Sequence, residues 1–393
     1  MKNFYFYSPT EILFGKRTEE ETGRLAKKWG ATKVLIVYGG GSVVRSGLLE
    51  RVENNLEAEG IEFEELGGVK PNPRLSLARE GVKKAIDFGA DFVLALGGGS
   101  AIDTAKGIAL GIANPDTDIW EFWNGKEVKK SAPVGVILTI SAAGSETSDS
   151  AVLTDETTLK KKGLSTDFNR PKFAIMNPEL TYSLPKYQIA CGVVDIMMHT
   201  LERYFSPVKG NHMTDEIAEG LLRNMIVYGP KGYANPVDYE AMSEIMWAGS
   251  LSHNNLTGLG RSRQFPVHNM GHEFSANYDA AHGASLSALW GTWALYVYKF
   301  DVSRFAHYAK AVWQIEETDP EKAALRGIDK TVEFFSSLDM PVTIGQLLES
   351  GPVDEKELET YADNVTNFDK QPLGTFLPLT RADVLAIYRS ANI

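Results

Sequence analysis

The run Phe92-Val93-Leu94-Ala95-Leu96 is apolar at every position and stops at Gly97-Gly98-Gly99-Ser100, where a helical pattern begins. A strand with no polar face must be covered on both sides, as it is in a parallel sheet with helices packed on each face. This one run predicts an α/β arrangement. The surrounding sequence has the same alternation: 33–37 reads as a strand ending at Gly39-Gly40-Gly41-Ser42, with helix to about Glu59, then 61–66 as strand and 75–88 as helix. Residues 134–139 and 173–176 add strands, with 151–154 a further candidate.

After Pro185 the strand signals fade and apolar residues recur at helical spacing almost to Ile393. Segments starting near Lys186, Met213, Asp238, Ala284, Asp319 and Asp354 each read as helix, separated by Gly, Pro and Asn. A chain of 393 residues exceeds what one hydrophobic core serves, so two domains are expected, 1–185 α/β and 186–393 all-helical. The longest apolar stretch, 284–298, is broken by Ser285, Ser287 and Thr292 and falls short of the roughly 20 residues a membrane span needs. It reads as a buried core helix.

Composition narrows the partners. Forty basic against fifty-one acidic residues give a net charge of -11, which argues against nucleic-acid or anionic-membrane binding, since both need excess positive charge. The lone Cys191 has no internal disulfide partner, and Met-Lys-Asn-Phe-Tyr-Phe-Tyr lacks the apolar stretch of a signal peptide. A reducing cytoplasm is expected.

Gly97, Gly98 and Gly99 let the backbone approach a ligand without an intervening Cβ, and the free N–H groups of the helix that follows face the same gap. Ser100 and Asp103 have capping-box spacing. An anion such as a pyrophosphate fits there, although the pattern is neither the Rossmann fingerprint nor a P-loop, and a plain tight turn is the competing reading. The earlier turn, Gly39-Gly40-Gly41-Ser42, repeats the arrangement. It lacks the carboxylate that would bind an adenosine ribose and repel a 2'-phosphate, and it has Ser42 and Arg45 to accommodate one; a solvated arginine after a glycine turn is the competing reading.

Asp195 and His199 lie four apart in a helical run, as do His268 and His272, and His282 follows ten residues later. Spacing of i and i+4 puts both side chains of a pair on one helix face. A single such pair reads as a local hydrogen bond. A carboxylate with several imidazoles is a ligand set for Fe, Zn, Co, Ni or Mn. His212, His253 and His307 have no comparable setting and read as surface or packing residues.

At these residues the chain resembles the iron-containing (group III) alcohol dehydrogenases, especially an NADPH-dependent, butanol-dehydrogenase-like branch. Gly97 to Ser100 with Asp103 and Lys106, Gly144-Ser145-Glu146, and Asp195, His199, His268 and His282 carry the resemblance, which spans essentially the whole chain. Asn177-Pro178-Glu179 departs from the usual Asp-Pro-Glu. The resemblance implies a Rossmann-like parallel-sheet nucleotide-binding domain followed by an all-helical metal-binding domain, the dehydroquinate-synthase-like architecture, with the nucleotide in the cleft between them. It implies that Asp195, His199, His268 and His282 hold one divalent ion, Fe²⁺ in the cell; the affinity order of imidazole and carboxylate sites makes Zn²⁺ or Ni²⁺ the alternatives on isolation. His272 would lie nearby as the proton carrier. The two glycine turns, Asp103, Thr139, Ser141 and Ser145 would contact NADP(H), Lys162 would face the nicotinamide or substrate, and Asn72 would sit by the adenosine.

The expected activity is NADPH-dependent interconversion of short primary alcohols and aldehydes such as butanol and butanal. A dehydroquinate-synthase-like lyase, a glycerol-dehydrogenase-like polyol oxidoreductase and a metal-binding assembly protein are the other readings. A lyase would need basic residues around the metal, for which Arg261 and Arg263 are the obvious cluster. Packing of the apolar amino-terminal Phe4, Tyr5, Phe6 and Tyr7 across a two-fold axis would give a homodimer.

Overall fold

The computed structural model describes residues 2–393. Its strands are β1 (Glu11–Phe14), β2 (Lys33–Tyr38), β3 (Glu62–Leu66), β4 (Phe92–Gly97), β5 (Val134–Leu138), β6 (Ser150–Asp155), β7 (Lys160–Ser165) and β8 (Phe173–Met176). Six of them form one sheet in the order β1-β8-β5-β4-β2-β3, parallel at every pairing. Alternate residues of the central strands enter opposite cores. Leu35, Val37, Val93 and Ala95 belong to one apolar cluster, and Val34, Ile36, Phe92, Leu94 and Leu96 to the other. This is the two-sided burial that residues 92–96 require, in a Rossmann-like doubly wound unit.

From β2 the chain turns outward to β3, whereas from β4 it proceeds to β5 on the other side. The order therefore reverses between β2 and β4, the point at which open α/β sheets leave a crevice beyond the carboxyl ends of their strands. Tyr38 pairs with Leu96, so both glycine turns emerge side by side at that crevice.

Several local expectations need correction. The helix expected after Ser42 is two pieces, Ser42–Arg45 and Leu48–Ala58, because Gly47 between them takes φ +69. Strand β1 and the lysine-rich β7 lie outside the predicted strands, as neither carries a long apolar run; β7 pairs with β6 as an antiparallel hairpin. The helix after β4 begins at Gly99 with Gly98 as its uncapped first boundary, so Ser100 and Asp103 form no capping box.

The helical segments run Lys186–Tyr204, His212–Ala234, Tyr239–His253, Pro266–Tyr278, His282–Val297, Val302–Trp313, Pro320–Ser337, Glu355–Val365 and Arg381–Ala391. Asp238 and Asp319 cap theirs through side-chain bonds to backbone N–H groups, and Pro266 occupies the first turn, where its missing N–H costs nothing. Among the described residues no helix is long and apolar enough to cross a membrane.

The chain forms two compact units. One joins Tyr7–Leu184 with Pro236–Asn254; the other comprises the chain up to Phe6, Pro185–Asn235 and Asn255–Ile393. The interleaved helix Tyr239–His253 has a physical reason to group with the sheet. Met246 enters one sheet core, Ser250 Oγ donates to Glu146 Oε1 at 2.5 Å, and Thr147 Oγ1 donates to the Ser250 carbonyl at 3.2 Å. Gly144, at φ +62, lies so close that a Cβ would fall 2.5 Å from the Gly249 oxygen. Gly144-Ser145-Glu146 is thus the seat on which this helix docks.

Candidate metal centre and nucleotide turns

In the sheet unit, the glycines of the second turn admit another loop. A Cβ on Gly98 would lie 2.8 Å from the Ile140 Cβ, and one on Gly99 would lie 3.1 Å from the Ala143 Cβ. The loop carrying Thr139 and Ser141 is thereby drawn over the start of the Gly99–Ala113 helix. Ser141 is buried, and its hydroxyl has no hydrogen-bond partner among the described residues. A buried hydroxyl without a partner costs about 1–3 kcal/mol, and beside free helix N–H groups it fits a phosphate oxygen.

The first turn is open: Ser42 and Arg45 are exposed, and a Cβ on Gly41 would approach Arg45 Nη1 at 3.5 Å. Asn72 is buried at φ +55, and its Oδ1 accepts from Lys161 Nζ at 2.9 Å. Lys162 lies elsewhere, donating to Asn124 Oδ1 at 2.7 Å with Nζ 5.8 Å from the Trp120 ring. Side-chain alternation along β7 separates the two lysines.

Asp103 and Ser145 are committed inward. Asp103 accepts from Ser145 Oγ at 2.6 Å and from the Val152 N–H at 2.9 Å. Lys106, fully buried, donates to Ser145 O and Oγ and to the carbonyls of Ser148 and Ser150. Burial pulls its ammonium down to about 8 against the opposing charge of Asp103. These residues hold the loop against the helix and form the foundation of the turn.

In the helical unit, Asp195 and His199 share a face of the Lys186–Tyr204 helix, His268 and His272 a face of Pro266–Tyr278, and His282 opens His282–Val297. The three helices bring one carboxylate oxygen, Asp195 Oδ1, to 3.1 Å from His199 Nδ1, 3.5 Å from His268 Nε2 and 3.8 Å from His282 Nε2. Donor atoms of Asp195, His268 and His282 lie within 4.8 Å of one another. His199 is not in that group and meets it through the same Asp195 oxygen, while His272 stands beside it, its ring 5.5 Å from that of His282.

Asp195, His199 and His268 are buried, while the His282 side chain is 26% exposed, so the cluster is accessible from the His282 side. Neither Asp195 Oδ1 nor His268 Nε2 finds a hydrogen-bond partner of good geometry among the described residues. Burial opposes ionisation of Asp195, but the imidazoles of His199 and His282 outweigh it and hold its carboxyl well below the ordinary range. Burial lowers His199 to about 4 against the pull of Asp195. On His268 burial also disfavours charge, yet Glu202 and Asp195 lift it to about 9. A proton on His268 thus supplies positive charge where the donor set would accept a cation, and these residues fit a divalent metal.

Residues not singled out from the sequence complete the surroundings. Glu202 Oε2 bonds His268 Nδ1. The buried Arg203 donates to the His199 carbonyl at 2.7 Å and lies 4.7 Å over the Phe265 ring. That ring stands 5.9 Å from His199 and 5.2 Å from His268. The i+7 spacing of Asp195 and Glu202 was the available signal.

Gly283 sets the approach of His282, because a Cβ there would lie 2.2 Å from the Cys191 carbonyl oxygen on the ligand helix. Backbone cannot yield as a side-chain tip can, so Gly283→Ala should force the two helices apart at a cost of about 1–3 kcal/mol. The expected outcome is at least tenfold weaker binding of Co²⁺, roughly the effect of disturbing a ligand's support, read by titrating metal-free protein. An unchanged affinity would show that the contact does not set the ligand distance.

Residues 9–178 match the family model described as iron-containing alcohol dehydrogenase, and residues 189–392 that of the C-terminal domain of the Fe-containing alcohol dehydrogenase family. The chain is 39% identical over 394 residues to NADH-dependent butanol dehydrogenase A of Clostridium acetobutylicum, covering 100% of both. It is 36% identical over 350 residues to the NADPH-dependent aldehyde reductase YqhD of Escherichia coli, covering 87% of this chain and 88% of that one. Among solved structures, NADH-dependent butanol dehydrogenase A from Thermotoga maritima superposes with a TM-score of 0.95 at 35% identity, covering 100% of this chain and 99% of the other.

Proposed function

Because the chain belongs to the iron-containing alcohol dehydrogenase family, we propose that it interconverts short primary alcohols and aldehydes, of the butanol and butanal type, with NADP(H) and a divalent metal. The observation that carries this reading is the convergence of three imidazoles on the buried oxygen of Asp195. Asp195, His199, His268 and His282 would hold the metal. Fe²⁺ is the family's ion, while the affinity order of nitrogen and oxygen sites favours Zn²⁺ or Ni²⁺ in protein isolated in air. The crevice beyond β2 and β4, with both glycine turns, Thr139 and Ser141, would hold the nucleotide, and Asn72, with Lys161 beside it, its adenosine side. Asp103 and Ser145 support that site from beneath, and Lys162, which donates to Asn124, would have to leave that partner to face the nicotinamide. On this reading residues 1–185 supply the dinucleotide-binding domain and 186–393 the metal-binding one, the segment Pro236–Asn254 serving the former.

When bound, the metal supplies Lewis-acid polarisation of a substrate oxygen and the reduced nicotinamide supplies a hydride. The chain's own part is electrostatic and positional. Asp195 contributes one negative charge, so a dication is held but only partly neutralised. The exposed side of His282 is the way in for the substrate. His272, next to it, exchanges a proton between the product oxygen and solvent through its imidazole.

Of the three relatives named above, two are NADH-dependent and one NADPH-dependent by name, so the preference for NADPH rests on this chain's own turn. Gly39 has only the Val69 carbonyl, at 3.4 Å, near the position of a Cβ, and the backbone would accept a side chain. Gly39→Asp should set a carboxylate against the 2'-phosphate at about 1–3 kcal/mol, roughly 5- to 150-fold in preference toward NADH. Steady-state kcat/KM with each cofactor measures this, and a wild type that prefers NADH would refute the reading of the turn.

A lyase reading loses its basic cluster, since Arg261 is bound to Asp215 and to the Tyr204 carbonyl. Homodimer formation is supported by exposed Phe4, Tyr5, Phe6 and Tyr7, and a reducing cytoplasm by the buried, unpaired Cys191. The activity is tested by NADPH oxidation with metal-loaded protein and butanal. Steady turnover is expected, and no turnover across a panel of short aldehydes would exclude it.

A further inference from the structure

We infer that Glu202 is a positioning residue for the metal centre, fixing from outside the ligand set which nitrogen His268 offers and in which direction. This rests on the metal-dependent reading above and adds to it a residue that belongs to no ligand set proposed so far.

Glu202 follows Asp195 and His199 on the Lys186–Tyr204 helix at i+7 and i+3, so all three share a face. Its side chain is fully shielded from solvent. Each carboxylate oxygen has its own task at the start of the Pro266–Tyr278 helix: Oε1 accepts from the Val267 N–H at 2.5 Å, and Oε2 meets His268 Nδ1. With a carboxylate as its partner, Nδ1 must carry a proton. Nε2 is then the nitrogen left for a cation, and it is the one that faces Asp195 Oδ1 at 3.5 Å. A carboxylate behind a ligating imidazole fixes its tautomer and raises its basicity. Behind Asp195, which gives the ion its one direct negative charge, Glu202 adds a second buried carboxylate that acts only through the His268 ring and eases the cost of holding a cation away from water.

Glu202→Gln separates this role from plain helix capping. The amide oxygen can still accept from the Val267 N–H, and the volume is kept. The amide NH₂ then points at His268 Nδ1, which must become the acceptor, moving the ring proton to Nε2 and blocking the lone pair meant for the metal. Flipping the amide would set NH₂ against the Val267 N–H, two donors face to face.

The test titrates Co²⁺ into metal-free wild type, Glu202→Gln and Glu202→Asp, following the visible absorption band of the bound ion and the thermal unfolding of each metal-free protein. Glu202→Gln should bind Co²⁺ roughly 10- to 100-fold more weakly, with a shifted band and a melting temperature close to wild type. Glu202→Asp, which keeps a carboxylate, should recover part of the affinity. Wild-type affinity and band in Glu202→Gln would overturn the inference. Should the Gln variant fail to fold, Glu202→Asp decides: a shifted band with weaker binding supports the role, and wild-type behaviour overturns it. Wild-type protein that binds Co²⁺ but reduces no aldehyde would undo the functional reading and leave this one standing.

Discussion

Asp195→Asn is expected to reduce aldehyde turnover by roughly a thousandfold and to strip most of the metal, with the fold intact. The substitution preserves volume but replaces the single anionic donor with a neutral amide, half of which is a donor. Lewis-acid stabilisation is worth several kcal/mol, and a loss of about 4 kcal/mol corresponds to that thousandfold change. The helix that carries Asp195 is held independently by Val193, Val194, Ile196 and Met197, all fully buried, so unfolding should not be the cause. Metal content per chain, kcat and thermal unfolding are measured together on the same preparation. Wild-type metal content and turnover in the variant would remove Asp195 from the centre.

His272→Ala is expected to lower turnover by roughly 10²- to 10⁴-fold, the usual effect of losing a general acid or base, while the metal stays bound. The separation of the two effects follows from geometry. Donor atoms of Asp195, His268 and His282 gather within 4.8 Å, with His199 on the same Asp195 oxygen, whereas His272 is a neighbour of the His282 ring at 5.5 Å. Parallel loss of metal and activity would make His272 a ligand and not the proton carrier.

Much of the fold was legible because its signals are local. Residues 92–96 advertise a doubly covered strand without help from any partner, and Asp195 with His199 advertises a helix face by spacing alone. What escaped depends on distant partners. Spacing puts Glu202 on the face of Asp195 and His199, but only the approach of His268, 66 residues away, shows its use. Asp103 resembles a cap or a ligand contact until Ser145, 42 residues on, takes its oxygen. Lys161 and Lys162 are adjacent and alike, so which of them reaches Asn72 is decided by the phase of β7 against β6, which no spacing rule sets. The Tyr239–His253 helix carries an ordinary helical pattern, and its place with the sheet follows from the left-handed Gly144 and the Ser250 to Glu146 bond.

The metal requirement is tested most directly by assaying one preparation three times with NADPH and butanal: as purified, after a chelator has removed all detectable metal, and after anaerobic addition of Fe²⁺. The stripped protein should be folded and inactive, and Fe²⁺ should restore turnover in proportion to the ion bound per chain. Undiminished turnover by protein shown to be metal-free would contradict the role assigned to Asp195, His199, His268 and His282.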